Sequence, residues 1–356
     1  MYKRNYMIGS ESSVQQDIMK MLSVVIPVFN VESFIERCIR SLENQDIPHN
    51  EYEIICVNDG SPDNSREVIT RLGDEYNNII LVDQMNQGVS VARNVGLEKA
   101  RGQYVLFIDP DDYVIENSFN RILKEIIEFK AQMAIPGYLF VDEGGNILGK
   151  KIFDNYASRV CTGIEAYYLA RETGHIVTDT SVGVIFNSAF LKDNRLVYKP
   201  GVILNQDAEL LARIHCIADR CIFTKQVLYS AVERRGSASR SNQFTTERVR
   251  DGFILAANNL KEFQGKDSLR KSQKQFLNGP IAKFVLLAVY SGAVTTSLKL
   301  FKSTLRDLRK HDLLRLDLKG CSNYHSICGS FFNLSPYLGV IAIFIYLRVT
   351  RMLTRK

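Results

Sequence analysis

Three carboxylates crowd into four residues at Asp109-Pro110-Asp111-Asp112, directly after the apolar run Tyr104-Val105-Leu106-Phe107-Ile108. Acidic groups this close repel one another, and a cation offsets that repulsion. A hard divalent ion, magnesium or manganese, suits them. It binds through one or two carboxylates and completes its octahedron with substrate phosphates and water. Two acids after a strand make only a solvated turn when nothing else supports them, so the surroundings decide.

A further acid, Asp59, stands in Val57-Asn58-Asp59-Gly60-Ser61-Pro62-Asp63. It reads both as a turn residue that caps a following helix and as an acceptor for the N–H of a base. The neighbouring Pro27-Val28-Phe29-Asn30 offers a ring for that base to lie against.

The elements that must position these groups are written between Leu22 and Asp112, where short β-rich runs alternate with helical patterns in the order β-α-β-α-β-α-β. That alternation specifies an α/β fold, a mostly parallel, Rossmann-like sheet flanked by helices. The first strand is expected from Leu22 to Ile26, stopped by Pro27, and the helix after it buries Phe34, Ile35, Cys38, Ile39 and Leu42. The second strand, Glu53 to Val57, runs into the turn at Asn58 to Pro62, and a helix starts near Ser65. A third spans about Ile79 to Val82. After the turn at Asn86-Gln87-Gly88, Ser90 to Ala100 is helical, with Gly102 expected as a left-handed cap. The fourth strand, Tyr104 to Ile108, delivers the acidic cluster. Ligands of open α/β sheets bind outside the carboxyl ends of the strands, which is where the loops at Phe29, Asp59 and Asp109 must lie.

Beyond Ile122 the alternation fades: Gly144-Gly145 predicts a hairpin, Ile164 to Arg171 a helix and Val184 to Leu191 a short element. From about Thr246 the chain reads as helices, with Phe284 to Val294 strongly apolar and Lys299 to Lys319 amphipathic. Residues 321–356 hold no Asp or Glu, and the apolar run Tyr337 to Leu347 is followed by Arg348, Arg351, Arg355 and Lys356. That run falls short of the ~20 residues a helical span needs. It predicts an interfacial helix in peripheral contact with an anionic membrane, with a buried terminal helix as the alternative.

Apolar residues at 46% and charged residues at 24% describe an ordinary folded protein rather than a disordered or fibrous one. The net charge of +6 is mild, and the basic residues form no aromatic-interleaved stripe, so no nucleic-acid partner is expected. Seven scattered cysteines without a C-x-x-C pair fit a reducing cytosol, where Cys38 and Cys56 serve as small core hydrophobes. His215 beside Cys216 is discounted as a ligand pair because adjacent helical residues point apart. The first twenty residues lack an apolar core and read as a polar extension rather than a secretory signal.

Four segments, Val24 to Asn30, Val57 to Ser61, Asn86 to Asn94 and Phe107 to Asp112, together resemble the family 2 glycosyltransferases. The likeness is closest over 22–115 and loosens towards about 240. It implies a GT-A fold, a nucleotide-sugar donor and an inverting transfer in which an acceptor hydroxyl attacks the anomeric carbon. By that resemblance Asp109 and Asp111 hold the metal, manganese or magnesium. The donor is bound by Pro27, Phe29, Asn30, Glu32, Asp59, Gly60, Gly88, Arg93, Asn94 and Asp109, with Asp112 in support. The family carries an acidic base about a hundred residues further on, where Asn205-Gln206-Asp207-Ala208-Glu209 stands. Asp207 is the base by this likeness, with Glu209 in reserve; a helix-start Asp is the plainer alternative. Arg234, Arg235, Ser237 and Ser239 resemble a basic loop that closes over the diphosphate.

The chain has no Trp, so the Gln-x-x-Arg-Trp motif of processive synthases is absent and one sugar per encounter is expected. An aspartate-nucleophile phosphohydrolase shares the D-x-D but wants a small hydroxyl residue where Tyr113 stands. A nucleotidyltransferase wants a glycine-rich basic loop after the first strand. A non-catalytic carbohydrate-binding relative would keep the pocket and lack a base. The expectation is therefore a metal-dependent enzyme at the cytoplasmic membrane face, acting on a saccharide or lipid-linked saccharide acceptor. Four regions follow: a polar extension (1–20), a nucleotide-sugar half (21–130), an acceptor half with the base (131–240) and a helical C-terminal region (241–356).

Overall fold

The computed structural model describes residues 20–157, 159–172, 179–234, 245–294 and 298–353. Nine strands within them form one sheet. Its first half is parallel: β3 (Ile79–Gln84), β2 (Tyr52–Asp59), β1 (Leu22–Val28) and β4 (Tyr104–Phe107) lie side by side in that order. Helices α1 (Glu32–Glu43), α2 (Ser65–Glu75) and α3 (Val89–Lys99) are the crossovers. Both faces of β1 and β2 are covered, which is why they read as continuous apolar runs. Alternate residues serve opposite cores: Val24, Ile26, Ile54 and Cys56 face one, and Val25, Ile55 and Val57 the other.

Pro27 was expected to stop β1, yet the strand continues to Val28. The carbonyl of Val25 accepts from Ile108 N at 3.1 Å, so Pro27, two residues on, faces the same edge. There β4 has already ended at Phe107, and the missing N–H of proline costs no ladder bond. Gly102 is likewise not the left-handed cap expected of it. Helix α3 ends at Ala100 with φ −61° and ψ 125°. A Cβ on Gly102 would stand 2.5 Å from Ser23 N, so glycine serves close approach of the loop to β1.

The second half of the sheet is mixed. β8 (Ile185–Asn187) pairs antiparallel with β4 and with β6 (Met133–Asp142). β9 (Cys221–Glu233) runs parallel to β6 and antiparallel to β5 (Tyr113–Val114). Gly144-Gly145 turns β6 into β7 (Ile147–Lys151), as predicted, with Gly145 at φ +83°. α4 (Phe119–Glu128), α5 (Gly163–Glu172), α6 (Ser188–Asp193) and α7 (Gln206–Ile217) complete the layers.

The rest is helical: α8 (Thr246–Gln264), α9 (Lys271–Val294), α10 (Leu298–Lys310), α11 (Asn323–Leu334) and α12 (Pro336–Leu353). α9 is long and apolar enough to cross a membrane, but most of it is buried within the protein. Phe284, Val285, Ala288 and Val289 on it are fully enclosed. All seven cysteines are free and six are buried, Cys38 and Cys56 among them. His215 is a core residue, its Nδ1 2.9 Å from the carbonyl oxygen of Gly163.

Candidate active site

The parallel register of β1, β2 and β4 brings Phe29, Asp59 and Asp109 to one edge of the sheet. Phe29 is 47% exposed there. Asn30 adopts φ 55°, and its N–H donates to Ser61 Oγ at 2.7 Å. Pro27 lies buried in β1 just before them.

Asp59 organises the loop opposite. Its Oδ1 accepts from Gln87 N at 2.8 Å and Gln84 Nε2 at 2.6 Å, and its Oδ2 from Gly88 N at 2.8 Å. Gly88 needs glycine for its φ of +90°, and Gly60, at φ +67°, for the approach of Asn86 N. A carboxylate has about four acceptor positions. Three are used on the Gln84 to Gly88 segment, and one is left for a ligand.

Two of the expected donor contacts have local partners. Glu32 accepts from Asn64 N at 3.1 Å and Asn64 Nδ2 at 3.0 Å, while its own N–H donates to Asp63 Oδ2 at 2.8 Å. The starts of α1 and α2 thus clamp each other. Against a burial penalty, the Ser61 and Ser65 hydroxyls and the Glu32 N–H bring Asp63 down to about 2. Asn94 binds the backbone of Tyr198 through both ends of its amide, at 2.9 and 2.8 Å. That bond fixes the loop before α7 against α3.

Arg93 is at the centre of the cleft. Its side chain is 2% exposed, with Nη2 2.7 Å from Asp109 Oδ1 and Nη1 3.1 Å from Asp207 Oδ1. The guanidinium carbon lies 5.2 Å from the centre of the Tyr198 ring. Burial opposes its charge, but Asp207 foremost, then Tyr198 and Asp109, outweigh that and hold it more firmly protonated than usual. Asp207 sits in the first turn of α7 behind Asn205, a left-handed N-cap at φ 56°. Ser181 Oγ and the Tyr198 hydroxyl also reach its Oδ1. Among the described residues nothing donates to Oδ2, which is therefore the free end of the carboxylate.

Candidate ligand oxygens of Asp109, Asp111 and Asp112 lie within 4.8 Å of one another. They are not equivalent. Asp112 is buried, with Oδ1 on Val232 N at 2.7 Å and Oδ2 on the Tyr229 hydroxyl. Burial, then Asp109 and Asp111, lifts its carboxyl to about 7. Asp111 gives Oδ2 to Arg234, whose Nε is 2.9 Å away and whose guanidinium stacks 4.4 Å from the centre of the Phe34 ring. Asp109 gives Oδ1 to Arg93. Desolvation in the cleft raises the Asp109 carboxyl, and Arg93 opposes the rise. One oxygen each of Asp109 and Asp111 is left without a donor among the described residues. That set fits a hard divalent cation held by one or two carboxylates and substrate oxygens.

Glu209, the reserve base, is fully buried in an ion pair with Arg213 at 2.7 Å and cannot meet a substrate. Arg235 lies outside the described residues. Ser181 and Tyr198 were not foreseen. They belong to no motif, and only the tertiary fold carries them to Asp207. A cavity of about 220 Å³ opens beside Asp109, walled by Tyr138, Phe140, Thr180, Val182 and Tyr229.

A half-parallel, half-mixed sheet with paired aspartates after its fourth strand and polar loops beside them is the arrangement of a GT-A fold. Residues 23–192 match the model for glycosyl transferase family 2, so the chain carries a domain of that family. It is 28% identical over 223 residues to the glycosyltransferase GlyA of Streptococcus pneumoniae serotype 4, covering 62% of this chain and 31% of that protein. It is 41% identical over 126 residues to the minor teichoic acid biosynthesis protein GgaB of Bacillus subtilis, covering 34% of this chain and 14% of that one. The chain thus spans less than a third of either relative. Its fold is similar to the crystal structure of S. aureus TarS 1-349 in complex with UDP-GlcNAc. The TM-score is 0.70 at 21% identity, over 90% of this chain and 89% of that one.

Proposed function

We propose that this protein is a metal-dependent, inverting glycosyltransferase that moves one sugar from a nucleotide-diphosphate sugar to a hydroxyl of a saccharide or lipid-linked saccharide, in cell-surface glycan assembly at the cytoplasmic face of the membrane. The observation that carries this reading is the Arg93 bridge. One buried cation holds an acid of the expected metal pair and the expected base across a single cleft. The likeness to GgaB, a minor teichoic acid biosynthesis protein, and to TarS in complex with UDP-GlcNAc adds support for a nucleotide-sugar donor and a cell-surface product.

In this reading residues 21–130 bind the donor and 131–240 the acceptor. The base stacks on Phe29 and donates to the remaining acceptor position of Asp59. Asp109 and Asp111 hold manganese or magnesium, which when bound stabilises the charge of the departing diphosphate. Arg234 leaves Asp111 as the diphosphate arrives and pairs with it instead. The acceptor ring occupies the cavity walled by Tyr138 and Phe140. Asp207 Oδ2 takes the proton of the attacking hydroxyl while Arg93, Ser181 and Tyr198 hold Oδ1 still.

The test is incubation of purified protein and manganese with a panel of nucleotide sugars, with and without acceptor pools, following nucleoside diphosphate release. Release that rises with acceptor is expected. Silence across the panel, with metal and membranes supplied, would refute the reading.

A further inference from the structure

The α11–α12 hairpin has two unlike sides. Its inner side is core: Phe332 and Ile343 are almost wholly buried, and a Cβ on Gly339 would stand 2.7 Å from Phe332 Cβ, so the helices cross in close contact. Its outer side is apolar and bare. Ile327, Phe331 and Leu334 recur at helical spacing on α11, and Leu338, Ile341 and Ile345 on α12, with Leu334 at 78% and Ile345 at 58% exposure. Single exposed apolar residues need no explanation, whereas a contiguous face across two helices does.

Charge indicates what covers it. No Asp or Glu occurs anywhere in 321–356, and the sequence there carries Arg348, Arg351, Arg355 and Lys356. The flank is basic too. Phe301 of α10 packs on Tyr337 of α12 at 5.1 Å, and α10 exposes Leu298, Lys299, Lys302 and Arg306, while its one acid, Asp307, pairs with Arg250 and Lys310. An apolar face bordered by cations and free of acids is complementary to anionic headgroups above acyl chains. The apolar stretch Pro336–Arg348 is too short to span, since crossing needs about 20 residues.

We propose that this face of the α11–α12 hairpin lies in the headgroup layer of an anionic bilayer, in the membrane plane, and thereby fixes the orientation of the active site. The proposal rests on the membrane-linked acceptor of the function proposed above. The packing is continuous: α12 packs on α9, α9 on α7, and α7 begins with the Asp207 turn. The bilayer thus sets the height at which Asp207 meets a lipid-linked hydroxyl.

The test is flotation of the full chain with vesicles of phosphatidylcholine alone and of equal parts phosphatidylcholine and phosphatidylglycerol, with no sugar nucleotide present. Removing α12 would strip Ile343 from the core, so point changes on the bare face are used. Binding to the anionic vesicles is expected, weakened by at least about tenfold in Ile341→Glu/Ile345→Glu and less in Ile341→Ser/Ile345→Ser, with thermal melts retained. Replacing Arg348, Arg351, Arg355 and Lys356 by Gln is expected to abolish the preference for anionic over neutral vesicles. No binding by the native chain, or equal binding by both Ile341/Ile345 variants, overturns the proposal. So does a native dimer that these variants make monomeric, because the face then belongs to a second copy. Transfer to a soluble saccharide is measured separately without vesicles. Its loss counts against the proposed function, while lost flotation alone counts only against this surface.

Discussion

Arg93 touches Asp109 at 2.7 Å and Asp207 at 3.1 Å, with two nitrogens of one guanidinium. The planar fork is what lets a single cation serve two carboxylates, one from the loop after β4 and one from the first turn of α7. It offsets part of their mutual repulsion, with Asp207 mostly buried and Asp109 about a third exposed, and sets their separation.

Replacing that fork should separate charge from geometry. Arg93→Ala leaves two acids facing each other around an empty site, and breaking a buried pair in this way costs roughly 3–5 kcal/mol of stability. Arg93→Lys restores a charge but not the fork. It should recover much of the stability seen in urea melts while transfer stays down by about 100-fold, since misplaced groups lose rate steeply. Full transfer by the lysine variant would show that the fork is dispensable.

Asp207→Asn removes the proton acceptor and keeps the shape. Transfer should fall by about 10²- to 10⁴-fold, the usual worth of a positioned base, with nucleoside diphosphate binding unchanged in calorimetry. Ser181→Ala, which takes one of several donors from Oδ1, should fall by less, about tenfold. Unchanged turnover in Asp207→Asn would remove it as the base.

Arg234 and a divalent ion both draw on Asp111. Without donor present, Arg234→Ala should therefore bind manganese several-fold more tightly, read by the loss of its free-ion resonance. With donor present it should bind the nucleotide sugar more weakly, for want of a partner to the diphosphate. Chelation of the metal should stop transfer in both proteins, and manganese should restore it. Weaker manganese binding by Arg234→Ala in the absence of donor would mean that Arg234 organises Asp111 rather than competing for it.

Much of this was legible in the chain because it is local. The β-α alternation, the turns at Asn58 and Gly88 and the strand that ends at Asp109 are written in short stretches of sequence. What escaped depends on neighbours far along the chain. Pro27 continues β1 because β4 stops early beside it, and Gly102 is glycine because β1 comes too close for a side chain. Glu32 and Asn94 were assigned to the donor yet spend their polar atoms on Asn64 and Tyr198. Asp59 was assigned a base, and most of its capacity turns out to hold the Gly88 loop. Ser181 and Tyr198 had no signal at all, since a lone hydroxyl in a loop is common and only its distance to Asp207 distinguishes it. The bare side of the α11–α12 hairpin lay between, foreseen as an apolar run but not as one face of two helices.

Acid should expose His215 as a stability element. Burial lowers its pKa to about 4, with the Gly163 carbonyl opposing that shift. The native state therefore resists the proton that the unfolded chain accepts near 6.5. Its contribution is fully present above that pH, falls as pH drops from about 6.5 to about 4, and changes no further below; a shift of this size is on the order of 3 kcal/mol. Asp112, lifted to about 7 by burial, works in the opposite sense, its contribution fading as pH rises from the ordinary carboxylate range to about 7. The total slope mixes these two with the other shifted groups, His325 and Asp63 among them, so the useful measurement is a difference. Urea melts of the native chain and of His215→Gln, run from pH 7.5 down to 4.5, should show the native protein losing stability on acidification faster than the variant. Parallel curves would mean that His215 takes up no fewer protons in the folded protein than in the unfolded chain, and the buried neutral ring would have to be abandoned.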